Sequence, residues 1–357
     1  MHFPLPGKER PMLVMTTPRT MRPRCPVCQP AAARRVSPAP RRRARSRRRS
    51  RRGPLALWLL ALLLFAALAG FKSLASAESG ASAPAASPSS TVPALNGLFS
   101  PRAALLDRSS GRFLAGQAMQ EEAPPASLTK IMTVLLAIES LPDLDQMVTV
   151  PAEIFNDLWA ENASLAGFSP SETVPLRDLL YGAMLPSGAE CCLTLARQVS
   201  GSESAFVEQM NRRAEELGLE NTRFANCTGL ENRNHYASAA DLAQLLDAAL
   251  NNEIFRQVFT SRSYTTSPTA QHPQGFTMYN SMFVLLDNLP GQGSELLGGK
   301  TGYTSQAGLC LASLMEVDGR EYILVTTGAP GDHTTDPYHL LDALEVCDQL
   351  RSGILNV

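Results

Sequence analysis

Two β-hairpin signals with a helical block between them predict an α+β domain, a mainly antiparallel sheet flanked by helices plus a helical subdomain. The first hairpin joins residues 102–107 and 112–115 through Arg108-Ser109-Ser110-Gly111. The second joins alternating, β-branched-rich runs at 309–317 and 321–327 through Asp318-Gly319. A further strand at 296–303 leads into it.

The elements follow in order from an expected start near Pro101. Pro124-Pro125 cannot continue a helix from upstream but can open one. The apolar run at 131–138 has helical length and spacing, so a buried helix ends near Leu141-Pro142. Residues 143–174 read as mixed, with a short strand at 147–150. A helix at 175–185 is broken by Pro186-Ser187-Gly188, and a second buried helix follows at 189–199. The next helix, about 203–217, has Ser202 as its cap and stops at Gly218. Ser238-Ala239-Ala240-Asp241 has capping-box character and opens a helix to about residue 250. Residues 262–294 read as strand fragments and loops, and a last helix covers about 338–350. No internal repeat is visible.

The net charge of −1 over 357 residues hides an asymmetry. Residues 1–53 hold 16 Lys and Arg against one Glu, leaving 16 basic and 32 acidic residues in the remainder. An Arg-dense leader with so little apolar content cannot bury a core, and a disordered, basic, cytoplasmic segment is expected. Residues 54–71 carry no charge and have about the minimum length for a spanning helix. Arginines before them and only Lys72 after them orient the N-terminus inside and the rest outside. This run reads as a transmembrane signal-anchor or a signal peptide, with Ala75-Ser76-Ala77 as a cleavage candidate that would release the domain. The adjoining apolar run makes anionic lipid a better partner for the arginines than nucleic acid. Residues 72–100 read as a Ser/Ala/Pro-rich linker, and 101–357 as one extracytoplasmic domain.

Of seven cysteines, Cys25 and Cys28 lack the second pair or nearby His that zinc requires. Cys191, Cys192 and Cys310 sit in apolar runs as small buried thiols. No cysteine is assigned to catalysis.

Ser127 and Lys130, three residues apart at a helix start, share one face and pair a nucleophile with a base. Ser-x-x-Lys alone is weak, and a capping serine beside a solvated lysine is its bland alternative. Two further motifs follow in order: Ser187-Gly188-Ala189 in an interhelical loop, then Lys300-Thr301-Gly302 on a strand before a hairpin. With these, residues 101–350 resemble the serine-type D-alanyl-D-alanine carboxypeptidases, the low-molecular-mass penicillin-binding proteins. Pro124-Pro125-Ala126-Ser127-Leu128-Thr129-Lys130, Met184-Leu185-Pro186-Ser187-Gly188 and Gly299-Lys300-Thr301-Gly302-Tyr303-Thr304 carry the likeness.

The resemblance implies a β-lactamase/transpeptidase-like fold and removal of the terminal D-Ala from peptidoglycan pentapeptide stems through an acyl-enzyme. It also implies β-lactams as covalent inhibitors and neither a metal nor an organic cofactor. In its terms Ser127 is the nucleophile, and Lys130 is the base once burial and the second cation at Lys300 lower its pKa. Ser187 would lie beside Lys130 and relay the proton. Backbone N–H groups of Ser127 and Tyr303 would hold the oxyanion. Lys300 and Thr301 would bind the substrate carboxylate.

Two departures stand out. The family usually has Asn where this chain has Ala189, which leaves a second reading open, a penicillin-binding pseudoenzyme or muropeptide-binding protein with little turnover. The arginine that commonly assists carboxylate binding is missing both from Tyr279-Asn280-Ser281-Met282 and from the stretch after the last hairpin. His235, Tyr236 and Asp241 read as structural, because Lys130 already supplies a base. Glu161 and Asn162 do not recreate the deacylation motif of class A β-lactamases, so efficient β-lactam hydrolysis is not expected.

Overall fold

The computed structural model describes residues 92–289 and 295–355. The basic leader, the apolar run at 54–71 and most of the linker expected at 72–100 lie outside the described residues. Among the described residues no helix is long and apolar enough to cross a membrane.

A five-stranded antiparallel sheet in the order β2-β1-β9-β8-β7 forms the middle layer. Its strands are β1 (Arg102–Asp107), β2 (Arg112–Gln117), β7 (Leu296–Thr304), β8 (Gly308–Val317) and β9 (Arg320–Ala329). β1 pairs with β9, Ala104 opposite Val325, so the first hairpin joins the last directly. Every residue of β1 from Ala103 to Asp107 is buried, because helices cover both faces of the sheet. Successive side chains alternate between two cores. Ala104, Leu106, Ala312, Leu314 and Val325 face the helical block. Ala103, Leu105, Leu311, Met315 and Leu324 face the other layer, built from α8 (Ser281–Leu286) and α9 (Tyr338–Arg351).

The helical block winds around α1 (Lys130–Ser140), which is buried from Lys130 through Ile138 and so reads as apolar all round. Packed about it are α3 (Leu176–Met184), α4 (Ala189–Ser200), α5 (Glu203–Glu216), α6 (Ala239–Leu250) and α7 (Glu253–Thr260), with α2 (Ile154–Ala160) set against α4. The capping residues read from sequence do cap: Ser202 Oγ accepts from Ala205 N–H and Ser238 Oγ from Asp241 N–H. Asp318 and Gly319, both at positive φ, make the tight turn between β8 and β9.

Several expectations need correction. Packed chain begins before Pro101: Leu95 is buried, and Phe99 N–H and Ser100 N–H donate to the Asp342 carboxylate of α9 at 2.7 and 2.9 Å. That segment was masked by the Ser/Ala/Pro-rich stretch upstream. Residues 143–174 contain α2 and a two-stranded ribbon, β3 (Met147–Thr149) with β4 (Thr173–Pro175). Within 262–294, β5 (Ser263–Thr265) and β6 (Thr277–Tyr279) are the expected fragments, but α8 follows them. Asn280 starts α8 by accepting from Met282 N–H, and its amide donates to Gly299 O at 3.2 Å, tying the helix to β7.

Candidate active site

Ser127 does not begin an α-helix directly. It lies in a 3-10 turn, Ala126–Thr129, that runs into α1 at Lys130. In a 3-10 turn side chains at i and i+3 eclipse, and Lys130 Nζ lies 2.9 Å from Ser127 Oγ. The ammonium also donates to Thr228 O at 2.6 Å. Asn226 Oδ1 sets that carbonyl by accepting from the N–H groups of Thr228 and Gly229, an Asx-turn. The turn is held by close approach of backbone. A Cβ on Gly229 would lie 1.9 Å from Ala126 O, and one on Gly302 would lie 3.1 Å from Ser127 N. Glycine at both positions lets the 226–230 loop and β7 close on Ser127 from two sides. Ala126 sits at φ 47° and Ser187 at φ 71°. A non-glycine residue held there stores roughly 1–3 kcal/mol of strain, a state that clusters at functional sites.

The structure brings Ser127, Lys130, Ser187, Thr301 and Tyr303 to one place. A cleft of about 530 Å³ is lined by Ser127, Lys130, Asn162, Ser164, Glu231 and Tyr303, among others. A second cavity of about 300 Å³ begins on the other side of Ser127, with Ser187, Thr301 and Tyr303 in its walls. Thr301 Oγ1 lies 2.5 Å from Ser281 Oγ of α8.

Two expected placements differ. Lys300, expected to bind the substrate carboxylate, is fully buried, lines neither cavity and donates to Thr301 O at 2.8 Å. Alternation along β7 explains it: Thr301 and Tyr303 share one face, and Lys300 points to the other. Ser187 is not hydrogen-bonded to Lys130. Its Oγ is buried without a partner, while Lys130 is engaged by Ser127 and Thr228. His235 is structural, as read: Nε2 lies 2.8 Å from Thr129 Oγ1, and the Asp241 carboxylate takes Asn221 N–H and the Thr222 hydroxyl.

Burial dominates the electrostatics. It pushes the Lys130 amine below the ordinary lysine value, toward the neutral form a base needs. Lys300 is pushed lower still by burial and then by the neighbouring charge of Lys130. Burial is the chief cause at both amines. His235 is held neutral by burial, down to about 4.

The outer wall of the larger cleft escaped the sequence reading. Ala189 N–H donates to Ser164 O at 2.8 Å. The buried Glu190 carboxylate accepts from Ala166 N–H at 2.6 Å and Gly167 N–H at 3.1 Å. Opposite, Glu231 accepts from Ser305 Oγ and from Gln306 N–H and side chain, closing the lip. A buried acid after Ser187-Gly188-Ala189 was the one available signal. The hydroxyls and loop contacts left none.

The D-alanyl-D-alanine carboxypeptidase family model, peptidase S11, matches residues 90–331, and the chain belongs to that family. The chain is 32% identical over 243 residues to D-alanyl-D-alanine carboxypeptidase DacF of Bacillus subtilis, covering 67% of this chain and 60% of DacF. It is 33% identical over 237 residues to DacD of Escherichia coli, covering 63% of this chain and 57% of DacD. The chain thus spans somewhat under two thirds of the length of these curated relatives. Among solved structures, a Streptomyces DD-transpeptidase superposes with a TM-score of 0.63 at 28% identity, over 71% of this chain and 97% of that one. The fold is accordingly the α+β transpeptidase-like one.

Proposed function

We propose that the chain is a serine D,D-carboxypeptidase that removes the terminal D-Ala from peptidoglycan stem peptides and is acylated by penicillins. The observation that carries the reading is the buried Lys130 amine 2.9 Å from Ser127 Oγ, in the bend between β7 and the 226–230 loop. Lys130 takes the Ser127 proton as Oγ attacks the carbonyl carbon of the penultimate D-Ala. The oxyanion is received by backbone N–H groups of Ser127 and Tyr303, a kind of donor worth about 3 kcal/mol of transition-state stabilisation. Ser187, whose hydroxyl has no other partner, relays the proton to the amine of the departing D-Ala. Water then cleaves the ester and restores Ser127. β7 is an edge strand of the sheet, so an extended stem peptide can lie along it. Thr301 contributes its hydroxyl to the carboxylate end, while Lys300 acts from beneath as a buried amine.

Residues 1–53 are read as a cytoplasmic leader, and residues 54–71 as the membrane anchor or signal peptide that places the domain outside the cell membrane. The Arg-dense flank and uncharged run support this. Ala189 favours one second reading, a site that acylates but turns over little, because a methyl group cannot hydrogen-bond a substrate amide.

The test is free D-Ala released from a pentapeptide ending in D-Ala-D-Ala. Release that disappears in Ser127→Ala supports the carboxypeptidase. Fluorescent-penicillin labelling without release supports the low-turnover reading, and neither one overturns both.

A further inference from the structure

The smaller cavity shares Ser127, Ser187, Thr301 and Tyr303 with the chemistry, but its far wall is built from the loop after β9 and the start of α9. His333 and His339 line it there. His333 is exposed, and its ring rests edge-on against Tyr303 with centroids 4.7 Å apart, so it borders both cavities. His339 is buried, and its Nδ1 has no hydrogen-bond partner. An imidazole nitrogen buried without a partner costs free energy unless a ligand completes it. α9 is 14 residues long, has no acidic side chain in its first turn, and presents its positive end here. No Arg or Lys lines the cavity. Lys130 and Lys300 lie beneath, engaged with Ser127, Thr228 and Thr301.

We propose that the C-terminal carboxylate of the stem peptide is received in this cavity by the Thr301 hydroxyl and the imidazoles of His333 and His339, in place of a permanent cation. The proposal rests on the carboxypeptidase reading above. A carboxylate seated between two imidazoles favours their protonated forms, so binding draws a proton from solution onto the His pair. Buried without a partner, His339 is held near 4 before ligand arrives, first by burial and then by charge on His333. The other ionisable groups facing the pair are Asp332 on its own loop, Tyr303 on β7 and, across the wider cleft, Glu161 and Glu231. Asp332 spends its carboxylate on Thr334, and Glu231 on Ser305 and Gln306. Asp342, one turn along α9, is committed to Phe99 and Ser100. Because binding takes up a proton, affinity for a peptide carboxylate falls as pH rises. The terminal amide of the same peptide escapes this dependence.

The experiment measures equilibrium binding of the pentapeptide and of its C-terminal amide to the full chain carrying Ser127→Ala, from about pH 5 to 8. D-Ala release by the unsubstituted chain is followed in parallel. The carboxylate peptide is expected to weaken roughly tenfold across the range, the worth of one charge-assisted hydrogen bond, while the amide stays level. His333→Ala should weaken the carboxylate peptide at low pH and flatten its profile. His333→Arg should flatten it at high affinity. Because His333 is exposed, both variants should fold, and His339→Gln adds a substitution of similar size on the buried side. Continued D-Ala release with equal, pH-independent binding of acid and amide, unchanged by His333→Ala, overturns the imidazole pair alone. Absence of release and of any Ser127 adduct overturns the carboxypeptidase reading. The binding curves still decide whether the cavity discriminates acid from amide.

Discussion

The inner wall of the cleft, the 3-10 turn carrying Ser127, is packed into the core between β7 and Gly229. The outer wall, residues 161–168 with 332–335, is mostly exposed and hangs on a few polar anchors. Leu128, Ile131 and Met132 are fully buried beneath Ser127, so the Ser127–Lys130 pair is fixed by packing. Across the cleft, Glu190 holds Ala166 and Gly167, while Asp332 holds Thr334. The groups proposed to make and break bonds thus sit where movement is costly, and those proposed to face substrate where one hydrogen bond sets the shape. Such a division predicts that damage to the inner wall abolishes chemistry, whereas damage to the outer wall alters binding.

The largest effect should come from Lys130→Arg. Arginine remains charged and cannot accept the serine proton. D-Ala release should fall at least about 10³-fold, as when one member of a nucleophile–base unit is lost. In the unsubstituted enzyme the same amine sets an acid limb. Release rises with pH as Lys130 loses its proton, at a pH below the ordinary lysine value. A pH–rate profile for kcat/KM checks this, and substantial activity in Lys130→Arg would break the comparison at its inner wall.

Next in size is acid lability of the folded state. His235 bonds Thr129 in the inner wall, His339 lines the outer cavity, and both are held near 4 against 6.5 for a free imidazole. Between those values the unfolded chain binds protons that the folded chain refuses. Stability is therefore complete above 6.5 and falls as pH drops toward 4. Each histidine removes up to roughly 3 kcal/mol over that window. Denaturant unfolding at several pH values measures it, and His235→Gln should flatten its share. A stability curve level from neutral pH to 4 would contradict the burial of both rings.

The legibility of the sequence followed the same division. Ser127, Lys130 and Thr301 could be placed because a proline pair, an apolar helix and a strand–turn–strand pattern are local signals. The sheet followed from its two hairpins. Local periodicity does not report what crosses from one element to another. It could not show that the Lys300 amine turns inward, that Thr228 O holds Lys130, or that Leu95 packs beneath the first hairpin. His333 and His339 look like ordinary loop and helix residues until β9 delivers them beside Tyr303.

A smaller effect sharpens the outer wall. Glu190→Ala leaves Ala166 and Gly167 N–H without their acceptor, at about 1–3 kcal/mol of stability. The 161–168 segment should loosen, raising KM severalfold with kcat nearly unchanged. Unfolding curves and steady-state kinetics on one preparation separate the two effects. A fall in kcat as large as that of Lys130→Arg would show that the two walls are not separable.

The proposed chemistry depends most on Ser127 Oγ being the atom that carries the acyl group. Incubating the full chain with benzylpenicillin, digesting it and sequencing the modified peptide by mass spectrometry tests this directly. The penicilloyl mass should lie on Ser127, and Ser127→Ala should remain unmodified. An adduct on Ser187, or on Ser127→Ala as readily as on the unsubstituted chain, would contradict it.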